Sequence, residues 1–331
     1  MKIYLMIKQL HFFIYLFLIY LVSISASADF LYKSFDESMH PPQGFDKNHI
    51  YSFIKKIYEE RNPQNSKVKT INSIPKTIHQ IWLGPKQISS EYLANSQRWK
   101  NLHPNWEYKL WREKDLEGWN FESKDLFNKA SSYQEKSDIL RYEILNKHGG
   151  LYVDMDYKPL KNFDDIHEKY SFYGSIEPLL SKKQNLTIAN SIIASAPNNI
   201  IFYESLKRIR AHWNNMEELF RKEANQLRKE KDLIHLAVNR TMMPFNQTIL
   251  DNIDKMDNAI LFPTSYMSIE EKDFILKSLR VSLGLVSHKL YQRTPKEETM
   301  AVQKRGKRLI TNLSNIKIQD PWYRKFIKKF T

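Results

Sequence analysis

The stretch from residue 137 to 156 changes from the spacing of an amphipathic helix to the alternation of a short strand. Two cationic residues and then two glycines separate the halves, which is typical of a helix C-terminus because glycine readily takes a positive φ. In the strand, apolar side chains would occupy one face, and Tyr152, Asp154 and Asp156 would occupy the other. The pattern therefore predicts a helix, a Gly149-Gly150 stop, and a strand with both carboxylates on one face.

Asp154 and Asp156 are candidate ligands for a divalent cation. Two like charges about 7 Å apart on one strand face repel each other, and a cation that binds phosphate oxygens is a common reason to keep them. Carboxylate oxygens suit Mg²⁺ or Mn²⁺ better than Zn²⁺. On the preceding helix, Asp138 and Arg141 are three residues apart and share a face, where they could bind a polyhydroxylated phosphate ester. Taken alone, the D-x-D triplet is a weak signal, because paired acids on an exposed strand often serve solubility.

The same stretch resembles the core of the DxD-bearing glycosyltransferases grouped as family 32, which are related to Golgi-type initiating mannosyltransferases and to the catalytic domain of large clostridial glucosylating toxins. Three further blocks agree with that family in order and spacing: IPKTIHQIW at 74–82, HPNWEYKLW at 103–111, and the Asn190 segment IANSIIASAPNN. The resemblance implies an α/β fold of the GT-A type, with a mixed, mostly parallel sheet flanked by helices and with helical additions. It also implies a metal-dependent, retaining hexosyltransferase.

By this resemblance, Asp156, and Asp154 directly or through water, would hold Mn²⁺ or Mg²⁺ against the donor diphosphate. Asp138 and Arg141 would bind sugar hydroxyls. His288, in the sequence VSH, resembles a late metal ligand or phosphate contact of related enzymes, although a lone histidine there is more often a structural hydrogen-bonding group.

Three further residues are implied to contact the donor. Trp82 resembles the residue that contacts the base, Tyr152 would pack at the ribose or sugar edge, and Asn190 would contact the hexose. His79 could line the same pocket. The donor would be a UDP- or GDP-hexose carrying glucose or mannose, and the acceptor a glycan, glycolipid or protein.

The chain divides into four predicted parts. Residues 1–28 read as a signal peptide or signal anchor, because two lysines precede an apolar run and small residues follow it. Residues 29–70 read as a stem or packing extension, 71–300 as the catalytic domain, and 301–331 as a basic aromatic tail. The expected route is secretory, with a periplasmic, secreted or membrane-anchored catalytic part on the non-cytosolic side.

Composition and charge change the picture little. The 331 residues are 42% hydrophobic and contain no cysteine, so a packed core is expected, without disulfides or thiolate metal sites. The net charge of +14 and the lysine-rich tail suit an anionic membrane surface or an acidic acceptor, or else a solvated terminus. No nucleic-acid-binding motif is present, and nucleic acid is not an expected partner. The alternative to an enzyme is a secreted, non-catalytic polyanion- or glycan-binding protein.

Four tryptophans fall between residues 99 and 119. Clustered aromatic rings could stack on sugars in an acceptor site, but packing in the core is the commoner role and is expected for most of them.

Overall fold

The structure, a computed structural model, describes residues 33–62, 64–65, 71, 73–179, 185–221, 237–267 and 301–303. Its helices are α1 (Phe35–Met39), α2 (His49–Arg61), α3 (Ser90–Leu102), α4 (Lys124–Lys129), α5 (Tyr133–His148), α6 (Asp164–His167), α7 (Ile200–Arg221) and α8 (Met243–Asn252). Its strands are β1 (Thr77–Ile81), β2 (Glu107–Trp111), β3 (Gly150–Val153), β4 (Tyr157–Pro159), β5 (Phe172–Ile176), β6 (Ile188–Ser195), β7 (Ala259–Phe262) and β8 (Ala301–Gln303). A π-helical turn, Val238–Met242, immediately precedes α8.

Six strands form one mixed sheet in the order β2-β1-β3-β6-β5-β7. β1 pairs in parallel with β2 and with β3, and β5 pairs in parallel with β7. β6 runs antiparallel to both of its neighbours, β3 and β5. Within the described residues, parallel pairings therefore outnumber antiparallel ones in this sheet, and the predicted α/β class with a mixed, mostly parallel sheet is confirmed.

Helices cover both faces of the sheet, because consecutive strand residues carry large side chains to opposite sides. On β5, Phe172 packs 6.3 Å from the ring of Phe202 in α7, whereas Tyr173 packs 6.5 Å from Phe163 on the other side. Further ring contacts join α5 and α8 to α7 on the first face. Trp99 of α3 is fully buried 5.2 Å from Phe163 on the second face. The core therefore lies in two aromatic layers, one on each side of the sheet.

Helix α5 ends at His148, as the Gly149-Gly150 stop predicts. Gly149 has a φ of 64°, and Gly150 opens β3 with a φ of 93°. The structure adds a steric reason for glycine: a Cβ at Gly150 would lie 2.6 Å from the carbonyl oxygen of Thr77 and 2.9 Å from Nε2 of His79. β1 and β3 can therefore lie this close only when residue 150 has no side chain.

The strand predicted to run through Asp156 ends instead at Val153. The last bond of its ladder with β6 runs from the Asp154 N–H to the carbonyl of Ser191 at 2.9 Å. The register of β3 with β1 ends at Tyr152 and its register with β6 ends at Val153, and the carbonyl of Asp154 accepts the Tyr157 N–H in a turn, at 3.1 Å. The prediction that both carboxylates lie on one strand face is therefore wrong; they lie in a turn at the end of the strand.

The N-terminal helices α1 and α2 occupy part of the predicted extension at 29–70. Arg61, at the end of α2, donates to four backbone carbonyls between residues 253 and 259. The hydroxyl of Tyr58 lies 2.9 Å from that of Tyr266. These bonds tie α2 to the segment around β7.

No helix within the described ranges combines the length and apolarity required to cross a bilayer. The predicted signal segment, 1–28, lies outside the described residues, as does the basic tail beyond residue 303.

Two buried histidines are held in the neutral form. Nε2 of His79 lies 3.0 Å from the carbonyl oxygen of Gly149, and Nδ1 accepts the indole N–H of Trp111. His167 contacts the carbonyl of Pro75 at 2.9 Å. Burial lowers the pKa of each histidine to about 4. Since the unfolded value is about 6.5, each histidine supports folding at neutral pH and loses that support as the pH falls from about 6.5 towards 4.

We expect His167→Gln to reduce the acid sensitivity of folding. Between pH 7.5 and 5.0 the wild-type His167 should lose about 2 kcal/mol of its contribution, which a non-titrating glutamine cannot lose. The measurement is the free energy of unfolding in denaturant at both pH values. Buried carboxylates with a raised pKa, such as Glu143, favour folding as the pH falls and so oppose the effect of the histidines. The quantity compared is therefore the change in unfolding free energy between the two pH values, in wild type and in each variant. His49→Gln, at an exposed position, is the control, and an equal reduction in both variants would contradict the role of burial at His167.

Candidate active site

Three strands bring their ends together at one edge of the sheet. β1 and β3 run parallel and end there, while the antiparallel β6 begins there. Trp82 follows β1, Asp154 follows β3, and Asn190 lies near the start of β6. Helix α5 brings Asp138 and Arg141 to the same edge. Ligands of open α/β sheets usually bind at the carboxyl ends of parallel strands, which makes this edge the candidate site.

Arg141 connects these elements through its guanidinium group. Nη2 lies 2.8 Å from Asp138 Oδ1, Nη1 lies 3.5 Å from Asp154 Oδ1, and Nη1 also donates to the carbonyl of Asn190. Nε donates to a carbonyl of its own helix, and the group lies over the ring of Tyr152 at 4.5 Å. Burial by itself would lower the pKa of Arg141, but its negatively charged neighbours hold it above the ordinary value. Arg141 is therefore a buried cation that orients two carboxylates.

Asp138 is a buried residue, with 8% of its surface exposed to solvent. Its Oδ1 accepts from Arg141 and, at 3.0 Å, from the amide of Asn190. Its Oδ2 accepts from the hydroxyl of Thr241 at 2.5 Å. Burial raises the pKa of Asp138, while Arg141 and Thr241 act against that rise. The side chain is thus fixed at both oxygens by three different elements.

Asp154 and Asp156 lie in the turn beside this network, and both are partly exposed. The hydroxyl of Tyr152 donates to Asp154 Oδ1 at 2.6 Å. Burial raises the pKa of Tyr152 well above its ordinary value, Arg141 acts against that rise and Asp154 adds to it, so the hydroxyl remains a donor. Mg²⁺ commonly uses one or two carboxylates together with substrate phosphates and water, and two accessible acids in a turn fit that requirement.

The described residues hold no cluster of three or more side chains suited to bind a metal. His288, the predicted third ligand, lies outside the residues that the structure describes.

The side chain of Gln80 binds the backbone of the turn that contains Asp154, a role that the sequence analysis did not predict. Its side chain is fully buried on β1. Oε1 accepts from Ser96 at 2.7 Å and from Tyr108 at 2.6 Å, and Nε2 lies 3.4 Å from the carbonyl of Asp154. Because the oxygen is held by two hydroxyls, the amide N–H is directed to the turn.

Trp82 lies farther along the same edge and is partly exposed. Its indole N–H donates to the carbonyl of Lys86 at 2.7 Å, and its ring meets Tyr92 edge-on at 5.8 Å. Burial raises the pKa of Tyr92, and the nearby charges of Asp156 and Asp154 raise it further. Tyr92, which the sequence analysis did not single out, therefore contacts the predicted base-contacting tryptophan and is close enough to the two acids to be affected by their charge.

The structure separates other aromatic residues from this edge. His79 is 3% exposed and has both ring nitrogens engaged, so it does not line an open pocket. Of the four clustered tryptophans, Trp99, Trp106 and Trp111 are buried, as expected for core residues, while Trp119 is partly exposed.

The predicted residues thus fall into one connected group and its surroundings. A network of hydrogen bonds and ion pairs joins five of them: Asp138, Arg141, Tyr152, Asp154 and Asn190. Asp156 lies in the adjoining turn, and Trp82 contacts Tyr92. Thr241 was missed because a hydroxyl 103 positions from Asp138 carries no local signal of that contact.

Residues 89–173 match the family model of the glycosyltransferase sugar-binding region containing the DXD motif. The matched segment includes α3, α5 and the turn with Asp154 and Asp156. The predicted resemblance to DxD-bearing glycosyltransferases is therefore confirmed.

Several curated proteins are similar to part of the chain. Mannosyl phosphorylinositol ceramide synthase CSH1 of Saccharomyces cerevisiae is 26% identical over 54% of this chain and 42% of its own length. An uncharacterized glycosyltransferase, L373 of Acanthamoeba polyphaga mimivirus, is 31% identical over 39% of this chain and 53% of its own. The chain thus spans about half, or less, of the relatives it matches. One is named a glycosyltransferase and the other a mannosyl phosphorylinositol ceramide synthase, in agreement with the predicted enzyme class.

Among solved structures, the catalytic domain of alpha-toxin from Clostridium novyi aligns with a TM-score of 0.46 at 9% identity, over 85% of this chain and 86% of that one.

We expect Tyr152→Phe to destabilise the protein more than a comparable loss elsewhere in the core. The substitution removes a hydrogen bond to a charged acceptor, worth about 2 kcal/mol, and weakens the hold on Asp154. Tyr170→Phe is the matched control, because its buried hydroxyl donates at 2.8 Å to the neutral carbonyl of Arg61 and should be worth about 1 kcal/mol. The measurement is the free energy of unfolding in denaturant at pH 7.5. Equal losses in the two variants would contradict the charge-assisted bond.

Proposed function

We propose that this protein is a metal-dependent, retaining hexosyltransferase that moves a hexose from a nucleotide diphosphate sugar to a glycan, lipid or protein acceptor. The observation that carries the proposal is the buried Arg141 network beside a turn with two accessible carboxylates. A buried Asp138 next to the amide of Asn190 offers oriented acceptors for sugar hydroxyls. The turn offers anionic ligands for a cation that would accompany a diphosphate.

Asp156 and Asp154 are the proposed metal ligands. A bound Mn²⁺ or Mg²⁺ would neutralise charge on the leaving diphosphate as the glycosidic bond breaks. Asp154 has Oδ1 engaged by Tyr152 and near Arg141, which leaves Oδ2 for a ligand or a bridging water. By the resemblance to family 32, Asp156 is the proposed direct ligand.

The remaining residues bind and orient the donor. Asp138 and Asn190 would bind hydroxyls of the hexose, while Arg141 keeps the Asp138 carboxylate in place. Tyr152 would pack at the ribose or sugar edge, and the partly exposed Trp82 would contact the base. Retention of configuration follows from the resemblance to family 32.

The named relatives favour mannose among the possible hexoses. CSH1 is named a mannosyl phosphorylinositol ceramide synthase, and a Schizosaccharomyces pombe relative is named inositol phosphoceramide mannosyltransferase 3. A nucleotide-activated mannose and a lipid-linked acceptor are therefore the first choices for this chain. Glucose from UDP-glucose is the second, from the resemblance to glucosylating toxins.

The proposed setting is the secretory route, with the catalytic part on the non-cytosolic side. The apolar segment in 1–28 supports it, and the basic aromatic tail would suit an anionic membrane bearing a lipid acceptor.

We expect Asp156→Ala to reduce transfer to less than about a tenth of the wild-type rate at saturating Mn²⁺, because the leaving diphosphate loses its charge stabilisation. Asp154→Asn should have a milder effect, since Oδ1 of Asp154 is already engaged within the protein. Asp165→Ala, which removes an exposed acid from α6, is the control and should keep the wild-type rate. The measurement is hexose transfer by each purified variant, after circular dichroism has shown that it folds. A rate for Asp156→Ala above a tenth of wild type would rule out the assigned metal role.

A thermal-shift screen distinguishes the donors and tests the non-catalytic alternative. With Mn²⁺ present, either GDP-mannose or UDP-glucose at 100 times its dissociation constant should stabilise the protein by about 2.7 kcal/mol. The shift should disappear with chelator, because the acids alone repel the diphosphate. A shift with heparin and with none of the nucleotide sugars would favour a polyanion-binding protein instead.

A further inference from the structure

A π-helical turn, Val238–Met242, places two adjacent side chains against two buried carboxylates of α5. Nη1 of Arg240 lies 3.4 Å from Oε1 of Glu135, and Oγ1 of Thr241 lies 2.5 Å from Oδ2 of Asp138. Glu135 and Asp138 are three residues apart and share one face of α5. Turns of the π type occur mostly as single-turn insertions in α-helices and are frequently found at functional sites. This turn is therefore joined to α5 at two neighbouring points, one of which is the proposed sugar-binding carboxylate.

Thr241 has two acceptors within reach of one hydroxyl. Its Oγ1 lies 2.5 Å from Asp138 Oδ2 and 2.6 Å from the carbonyl of Ala237, one helical turn earlier. An ionised Asp138 accepts the hydroxyl proton of Thr241. A protonated Asp138 would donate to Oγ1 instead, and Thr241 would then donate to Ala237. The same positions therefore suit either ionisation state, and Oδ2 stays in place in both.

The remaining hydrogen-bonding capacity of Asp138 lies on Oδ2. A carboxylate can accept about four hydrogen bonds, two on each oxygen. Oδ1 is occupied by Arg141 and Asn190, whereas in the described part of the chain Thr241 alone contacts Oδ2. One acceptor position therefore remains on the oxygen that Thr241 holds.

We propose that Thr241 is a positioning residue for the donor sugar, which holds Oδ2 of Asp138 so that its remaining acceptor position receives a hydroxyl of the hexose. This inference rests on the proposed function and extends it to a residue far from the DxD segment in sequence. Thr241 need not touch the sugar. Without its hydroxyl the carboxylate is restrained at Oδ1 alone and can rotate about its Cβ–Cγ bond, which misaligns Oδ2.

The test compares, among matched variants, the affinity for a nucleotide hexose with the affinity for the corresponding nucleoside diphosphate. Thr241→Val removes the hydroxyl at nearly constant volume, and Thr241→Ser keeps it. Thr248→Val is the control: Thr248 is also fully buried and donates to a carbonyl four residues earlier, that of Pro244 at 2.9 Å, without contacting Asp138. For each variant, titration calorimetry with Mn²⁺ gives the dissociation constants of UDP, UDP-glucose, GDP and GDP-mannose. Transfer kinetics give kcat and KM for the donor that binds the wild type.

In Thr241→Val we expect the affinity for the nucleotide hexose to fall about tenfold, while that for the nucleoside diphosphate stays at the wild-type value. The ratio of kcat to KM should fall by at least the same factor, because the misaligned carboxylate also serves the reacting sugar. In Thr241→Ser the affinity for the nucleotide hexose should remain within about threefold of the wild-type value. In Thr248→Val that affinity should equal the wild-type value. A general loss of packing would instead weaken both ligands together.

The inference is overturned if folded Thr241→Val keeps the wild-type ratio of the two affinities, or if Thr248→Val changes it equally. If Thr241→Val does not fold, Thr241→Cys carries the same expectation, because a thiol is a weak donor of similar size. A wild-type protein that binds neither nucleotide hexose in the presence of Mn²⁺ would overturn the proposed function itself, which is a different result from an unchanged ratio in the variant.

Discussion

The buried guanidinium of Arg141 is the interaction on which the rest of the site depends. A cation that is 5% exposed is tolerated only when partners replace its water, and Arg141 finds two carboxylates, two backbone carbonyls and an aromatic face. Those partners come from α5, from β3 and the turn after it, and from β6. Loss of the cation would leave Asp138 buried without its counter-charge, which is far more destabilising than loss of a surface ion pair. The fold and the candidate active site are therefore held by the same charge.

The close contact of β1 with β3 sets where that turn lies. Gly150 allows the strands to approach to a distance that a Cβ would prevent, and the neighbouring Gln80 on β1 then reaches the carbonyl of Asp154. The backbone of Asp154 is also bound to β6 through its N–H. The turn with the two acids is thus supported at its backbone, while its carboxylates remain partly exposed.

The acids of the site divide into two environments that suit two parts of a nucleotide sugar. Asp138 is buried, paired with Arg141 and fixed at both oxygens, which favours directional hydrogen bonds to hydroxyls. Asp154 and Asp156 are accessible in a turn, which favours a cation that is partly hydrated and shared with phosphate. The antiparallel β6 makes this division possible, because it carries Asn190 back beside the end of β3 and places an amide between the two environments.

Local pattern determined much of this protein. The helix stop at His148 follows from glycine chemistry over a few residues, and the shared face of Asp138 and Arg141 follows from their spacing on one helix. The α/β class was implied by the resemblance. The resemblance over four blocks identified the residues that the structure joins in one network. The end of β3 could not be predicted from alternation, because it depends on where β6 stops supplying backbone partners. The roles of Gln80, Tyr92 and Thr241 likewise depend on tertiary structure. The partner of a side chain can lie about a hundred residues away in sequence, and local periodicity does not predict such a contact.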